Sequence, residues 1–147
     1  MKQQDFSYSL TVKASPKEAM KKISQVDLWW AKNFKGKTAK LNDEFSVYFG
    51  GPEDTYVNFR ISEVMPDKKI IWLVTDCNLH WIKDKKEWKN SEVIWTLTEK
   101  EGKTRIDFVH KGMTPDSECY ESCEPGWTHH IKDSLLKLID EGKGFPE

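Results

Sequence analysis

The sequence predicts an α+β domain in which a curved antiparallel sheet grips one long C-terminal helix. Three observations predict it. Strand signals, several of them in apolar–polar alternation, run from Glu44 to His110 with one longer charged connection. The last stretch places Trp127, Ile131, Leu135 and Leu138 on one helical face, backed by Lys132, Asp133, Lys137 and Asp140. No repeat, low-complexity tract or linker breaks the order, and 147 residues suit one domain with a single core. A sheet and a helix that are each apolar on one side can cover one another.

The elements follow in order. Phe6 to Val12 alternates strictly and reads as a strand. Ser15-Pro16-Lys17-Glu18 has the form of a capping box with proline at the first helical position, opening a short helix with Ala19, Met20 and Ile23. A second short helix is expected over 26–32 and contains Trp29-Trp30. Adjacent helical residues point about 100° apart, so one tryptophan should plug the core while the other borders a cleft or the surface. Strands follow with Phe45, Val47 and Phe49, then Val57, Phe59 and Ile61, separated by a turn at Gly50-Gly51-Pro52. Met65-Pro66-Asp67-Lys68 suits a type I turn. The unalternating run 69–75 predicts a central strand covered on both faces, and leaves open which side Trp72 takes. A charged connection over 77–91 holds Trp81 and Trp88, whose rings would pin it to the body.

The next hairpin is fixed by register. With the turn at Glu101-Gly102, Leu97 faces Ile106, Trp95 faces Phe108 and Val93 faces His110, all on the side that meets the last helix. Thr98–Arg105 and Thr96–Asp107 then take the solvent side. In the last helix Pro125 suits the first turn, Gly142 and Gly144 form a stop signal, and small Ser134 admits a close neighbour.

Several chemistries are excluded or disfavoured. The chain is 32% charged with a formal net charge of −1, which argues against a nucleic-acid or anionic-membrane partner. No run of about 18 apolar residues exists, so no membrane span is expected. The N-terminus lacks an apolar signal core, and three cysteines suit free thiols in a reducing cytoplasm. Gly36-Lys37-Thr38 ends like a phosphate loop, but position 31 is alanine where glycine is required. Cys119, Cys123, His129 and His130 lack the spacing of a zinc site, so no metal or cofactor is expected, and no catalytic residue can be assigned. Seven tryptophans are many for such a chain and suit either an aromatic core or an aromatic-walled pocket. His110 would supply a polar group there, or simply be hydrogen-bonded. Glu87 reads as a solvated loop carboxylate.

Taken together, Ser15-Pro16-Lys17-Glu18, Trp29-Trp30 before Phe34-Lys35-Gly36-Lys37-Thr38, Asp43-Glu44-Phe45, and Val64 to Lys69 form an ordered set. Glu87-Trp88, Phe108 to Met113, Cys119 to Cys123, Trp127, and Ser134-Leu135 through Gly144 continue it. In their order and spacing the chain resembles the START-like, birch-pollen-allergen-like superfamily, in the group related to the activator of the 90-kDa heat-shock protein ATPase. Asn42 stands where that group often has glycine, and asparagine also tolerates positive φ. The resemblance implies a helix-grip fold with a cavity between sheet and helix, and binding of lipids or other apolar molecules. No counterpart of the separate N-terminal domain of the eukaryotic chaperone activator is expected within these 147 residues.

The expected function is a small soluble cytoplasmic pocket protein for an apolar or aromatic molecule. Trp30, Trp72, Trp95 and Phe108 are its candidate lining, with His110, Tyr120, Cys123 and Trp127. The alternatives are a chaperone-docking module and a cyclase- or hydrolase-like enzyme using His110. If Trp127 borders a cavity, Trp127→Ala should cost less than about 3 kcal/mol.

Overall fold

Alternating side chains give the sheet two unlike faces, and the apolar face dictates the rest of the architecture. The computed structural model describes residues 5–38, 40–49, 55–79, 82–118 and 120–146, with only the backbone of Phe49 and Ser122. Its seven strands are β1 (Phe6–Val12), β2 (Asn33–Gly36), β3 (Glu44–Phe49), β4 (Thr55–Met65), β5 (Lys69–Asn78), β6 (Glu92–Lys100) and β7 (Lys103–Lys111). They pair antiparallel in the order β1-β7-β6-β5-β4-β3-β2. The β6–β7 register is the predicted one, Trp95 opposite Phe108 and Val93 opposite His110, and all four are fully buried. Glu101 and Gly102 both take positive φ at its turn, as a two-residue hairpin requires. The Gly50-Gly51-Pro52 turn lies outside the described residues.

Helix α1 (Pro16–Ser24) starts as predicted: Ser15 Oγ accepts the Glu18 N–H at 3.2 Å and Pro16 leads. Helix α2 (Val26–Trp29) is shorter than expected. It stops before Trp30, whose backbone has left ideal helical geometry (φ −108°, ψ −65°). The 100° separation therefore does not hold, and the two indoles stack 6.0 Å apart, both buried. The division into one core and one border tryptophan is corrected accordingly.

Other differences are local. Strand β2 was not legible, being four mixed residues at the sheet edge. Asp67 has φ +62° with Pro66 before it, the pattern of a type II rather than a type I turn. Asn42 takes φ +70°, as asparagine permits. On β5, Ile70, Trp72 and Val74 point inward, whereas Leu73 on the other face is partly exposed, so that face is not fully covered.

The C-terminal helix begins earlier than predicted, as α3 (Tyr120–Thr128), with Pro125 inside it rather than in the first turn. It continues as a π-helical segment, His129–Leu135, and ends as α4 (Leu136–Glu141). The Leu136 N–H reaches the Ile131 carbonyl, five residues back. Gly142 closes the helix in the left-handed conformation at φ +82°. All four predicted stripe residues are buried. Ser134 does admit close neighbours: its Oγ donates to the Trp29 carbonyl at 2.6 Å and accepts the Phe145 N–H at 2.7 Å. No described helix is long and apolar enough to cross a membrane.

Candidate functional site

Strands β5, β6 and β7 aim Trp72, Trp95 and Phe108 at the helix, and α2 and α3 bring Trp30 and Trp127 onto them. The contacts are continuous. Trp127 lies 4.7 Å from Phe108 and 4.8 Å from Trp30, ring centroid to centroid. Trp95 meets Phe108 at 4.8 Å and Trp72 at 5.5 Å, and Trp30 stacks on Trp72 at 6.5 Å. Six of the eight candidate residues thus meet in one cluster, His110 included. Tyr120 is only partly buried against the core. Cys123 is buried but disulfide-bonded, which corrects the expectation of three free thiols. Cys77 is a free, buried thiol, and Cys119 lies outside the described residues. Burial raises the Cys77 pKa, which leaves the thiol protonated and unreactive.

His110 is fully buried and hydrogen-bonded at both nitrogens. An indole N–H can only donate, so the Trp127 Nε1–H donated to His110 Nδ1 at 3.1 Å fixes the proton on Nε2. Nε2 then donates to Ser91 Oγ at 2.9 Å, and Ser91 donates to the Trp88 carbonyl at 2.5 Å. Burial holds the imidazole neutral by lowering its pKa to about 3. This chain runs the wrong way for a serine nucleophile, because Nε2 gives Ser91 a proton instead of taking one.

Sequence reasoning expected Trp88 to pin its loop but did not place Trp88, Ser91, Glu87 or Glu118 at the site. Trp88 covers this end, edge-on to His110 at 4.6 Å and stacked on Trp127 at 5.9 Å. Its loop is tied down by paired carboxylates. Glu118 accepts the Lys83 and Asp84 N–H groups at 2.8 and 3.0 Å, and Glu87 accepts the Glu118 N–H at 2.8 Å. Hydrogen bonds from the Asp84 and Lys83 backbone lower the Glu118 pKa. Glu87 is therefore more than a solvated carboxylate. The Glu87–Glu118 reciprocity had no sequence signal, since it joins segments distant in the chain.

Where a cavity was expected, the described side chains form a cluster of packed rings. Trp127 is 2% exposed and has aromatic neighbours around it. Among the described residues, three clefts open elsewhere on the surface. They measure about 790 Å³ beside Pro16, Met65, Pro66 and Leu97, about 400 Å³ beside Lys35, Ser46 and Asn58, and about 300 Å³ beside Phe34 and Tyr48. None is lined by the eight candidates.

A seven-stranded antiparallel sheet closed around a C-terminal helix, with aromatic rings between them, defines a START-like domain of the helix-grip type. The chain belongs to the family described as Activator of Hsp90 ATPase homolog 1-like protein, whose model matches residues 18–140. Among solved structures it is similar to the Aha1 dimer of Colwellia psychrerythraea, with TM-score 0.76, 17% identity, and 96% of this chain and 99% of that one covered. Protein SSP2350 of Staphylococcus saprophyticus matches with TM-score 0.71, 11% identity and 98% of each chain covered. DynU16, from the dynemicin biosynthetic locus, matches at TM-score 0.66 and 16% identity, covering 94% of this chain and 48% of that one. At such identities these likenesses speak for the fold alone. No curated protein matches in sequence.

Proposed function

We propose that this protein binds an apolar or aromatic small molecule between the sheet and the C-terminal helix, where its own rings now meet. The observation that carries this reading is the π-helical segment His129–Leu135, which buries His130, Ile131, Ser134 and Leu135 next to the ring cluster. Such segments are rare and recur at functional sites, because the widened turn re-aims side chains at a cost in helix stability. Rings held mainly by dispersion and edge contacts can separate to admit another ring of similar character, since the lost contacts are replaced in kind. The origin of DynU16 in a biosynthetic locus accords with a small-molecule partner for this fold.

The test uses the full chain. Native mass spectrometry of protein purified without denaturant should reveal an added small-molecule mass, and naphthalene should quench or shift tryptophan fluorescence saturably. Protein that carries no adduct and gives no saturable response to naphthalene or other apolar molecules rejects the reading.

A chaperone-docking module is the second reading. It is favoured by the family description and by the cleft of about 790 Å³ beside Pro16, Met65, Pro66 and Leu97, with Met65 48% exposed. The hydrolase reading has the fixed His110 tautomer against it.

A further inference from the structure

The indoles of the cluster are not equivalent in their hydrogen bonds. Trp29 Nε1–H donates to the Ile23 carbonyl and Trp127 Nε1–H to His110, each at 3.1 Å. Trp72 and Trp95 are completely buried, and their Nε1–H groups meet no acceptor among the described residues. The two rings are neighbours, 5.5 Å apart on adjacent strands, at the centre of the cluster between sheet and helix. Trp88 has a third such N–H, at the loop end of the cluster. Buried polar groups in folded proteins are nearly always paired, so each exception calls for a reason. The apolar bulk of an indole accounts for its burial but not for an N–H left without an acceptor.

We infer that the ligand is a flat aromatic molecule with an uncharged hydrogen-bond acceptor, such as a ketone or ether oxygen, and that Trp72 and Trp95 are the donors that select it. This rests on the proposed binding site between sheet and helix. Two features narrow the chemistry. Indole N–H groups donate and never accept, so the ligand must bring the acceptor. No lysine or arginine is buried among the described residues, so a carboxylate would enter without a counter-charge, at a heavy desolvation cost. A neutral oxygen avoids that cost and satisfies donors that otherwise stay unpaired. A hydrocarbon of the same shape would leave them unpaired and bind less tightly.

The experiment compares 1-indanone with indane, two bicyclic probes that differ by one carbonyl in place of a methylene. Both are titrated into the ¹⁵N-labelled full chain while the indole N–H signals are followed. Binding of 1-indanone about tenfold tighter than indane is expected, together with downfield movement of two indole protons whose signals vanish in Trp72→Phe and Trp95→Phe. In those variants the preference for the ketone should shrink. Equal affinities, or a preference that survives both substitutions, would overturn the inference while leaving the binding site standing. If neither probe binds, and naphthalene also gives no response, the site itself falls and the inference with it. Should either variant fail to fold, the wild-type shifts decide, since indole protons that move equally with both probes overturn the donor assignment.

Discussion

Trp127 and Trp95 flank the same ring, at 4.7 and 4.8 Å from Phe108, and both are almost wholly removed from water. They differ in one atom's surroundings. The Trp127 N–H is locked to His110, which in turn is locked to Ser91, so this end of the cluster is held by directional bonds. The Trp95 N–H meets no acceptor among the described residues, and neither does that of Trp72. Burial alone would rate the two tryptophans alike. Pairing separates an end that fixes the helix on the sheet from a centre whose indole N–H groups meet no acceptor among the described residues.

The largest effect should come from removing the anchor. Trp127→Ala is expected to cost roughly 3–5 kcal/mol in chemical denaturation, the range for a packed aromatic, and not the smaller loss that a cavity wall would give. A loss below that range would mean that this end is looser than its contacts imply.

A sharper contrast comes from two matched substitutions. Trp127→Phe strands His110 Nδ1 as a buried acceptor, whereas Trp95→Phe removes a donor that had no acceptor. Trp127→Phe should therefore be the more destabilising by about 1–3 kcal/mol. Equal losses would erase the distinction between the two tryptophans.

The smallest effect per step is in pH. The folded His110 pKa is depressed to about 3 from 6.5, so the unfolded chain binds one more proton than the folded chain between those values. Its stabilising contribution is complete above pH 6.5 and is lost as pH falls toward 3, by about 1.4 kcal/mol per unit at most. The Glu118 carboxylate, its pKa also lowered, adds a loss in the same direction only below its unfolded value of 4.5. Denaturation curves from pH 7 to pH 5 therefore read the His110 contribution free of Glu118 when compared with those of a His110 variant. His110→Gln should flatten them, and an unchanged slope would show that His110 is not the group responsible.

Much of this arrangement is legible in the order of the amino acids. Period-two alternation and cross-strand arithmetic yield the β6–β7 register residue by residue, because one slip would expose Trp95 and Phe108 together. The stripe Trp127–Ile131–Leu135–Leu138 locates the buried helix face, and the meeting of Trp95, Phe108, His110 and Trp127 follows from joining those two faces. What stays hidden depends on contacts between distant segments. The inward turn of Trp30 follows from where α2 ends, the widened turn at His129–Leu135 leaves the same apolar stripe as an ordinary helix, and the Glu87–Glu118 reciprocity joins two charged stretches that each read as solvated. The unpaired N–H groups are of the same kind, since a sequence shows a tryptophan but not what its nitrogen meets.

The pairing of β1 with β7, Phe6 against His110, also sets an order of events. During synthesis β1 has no strand beside it until β7 has been made, and α1 and α2 have no sheet to lie on. The cluster closes later still, because Trp30 waits for Trp127 and Trp29 for Ser134, 105 residues further along the chain. Contacts of such long range carry their loop-closure cost before any packing is gained, which slows folding. Until then the early strands depend on local hairpins and α1 on its Ser15 cap, with Trp29 and Trp30 still in water.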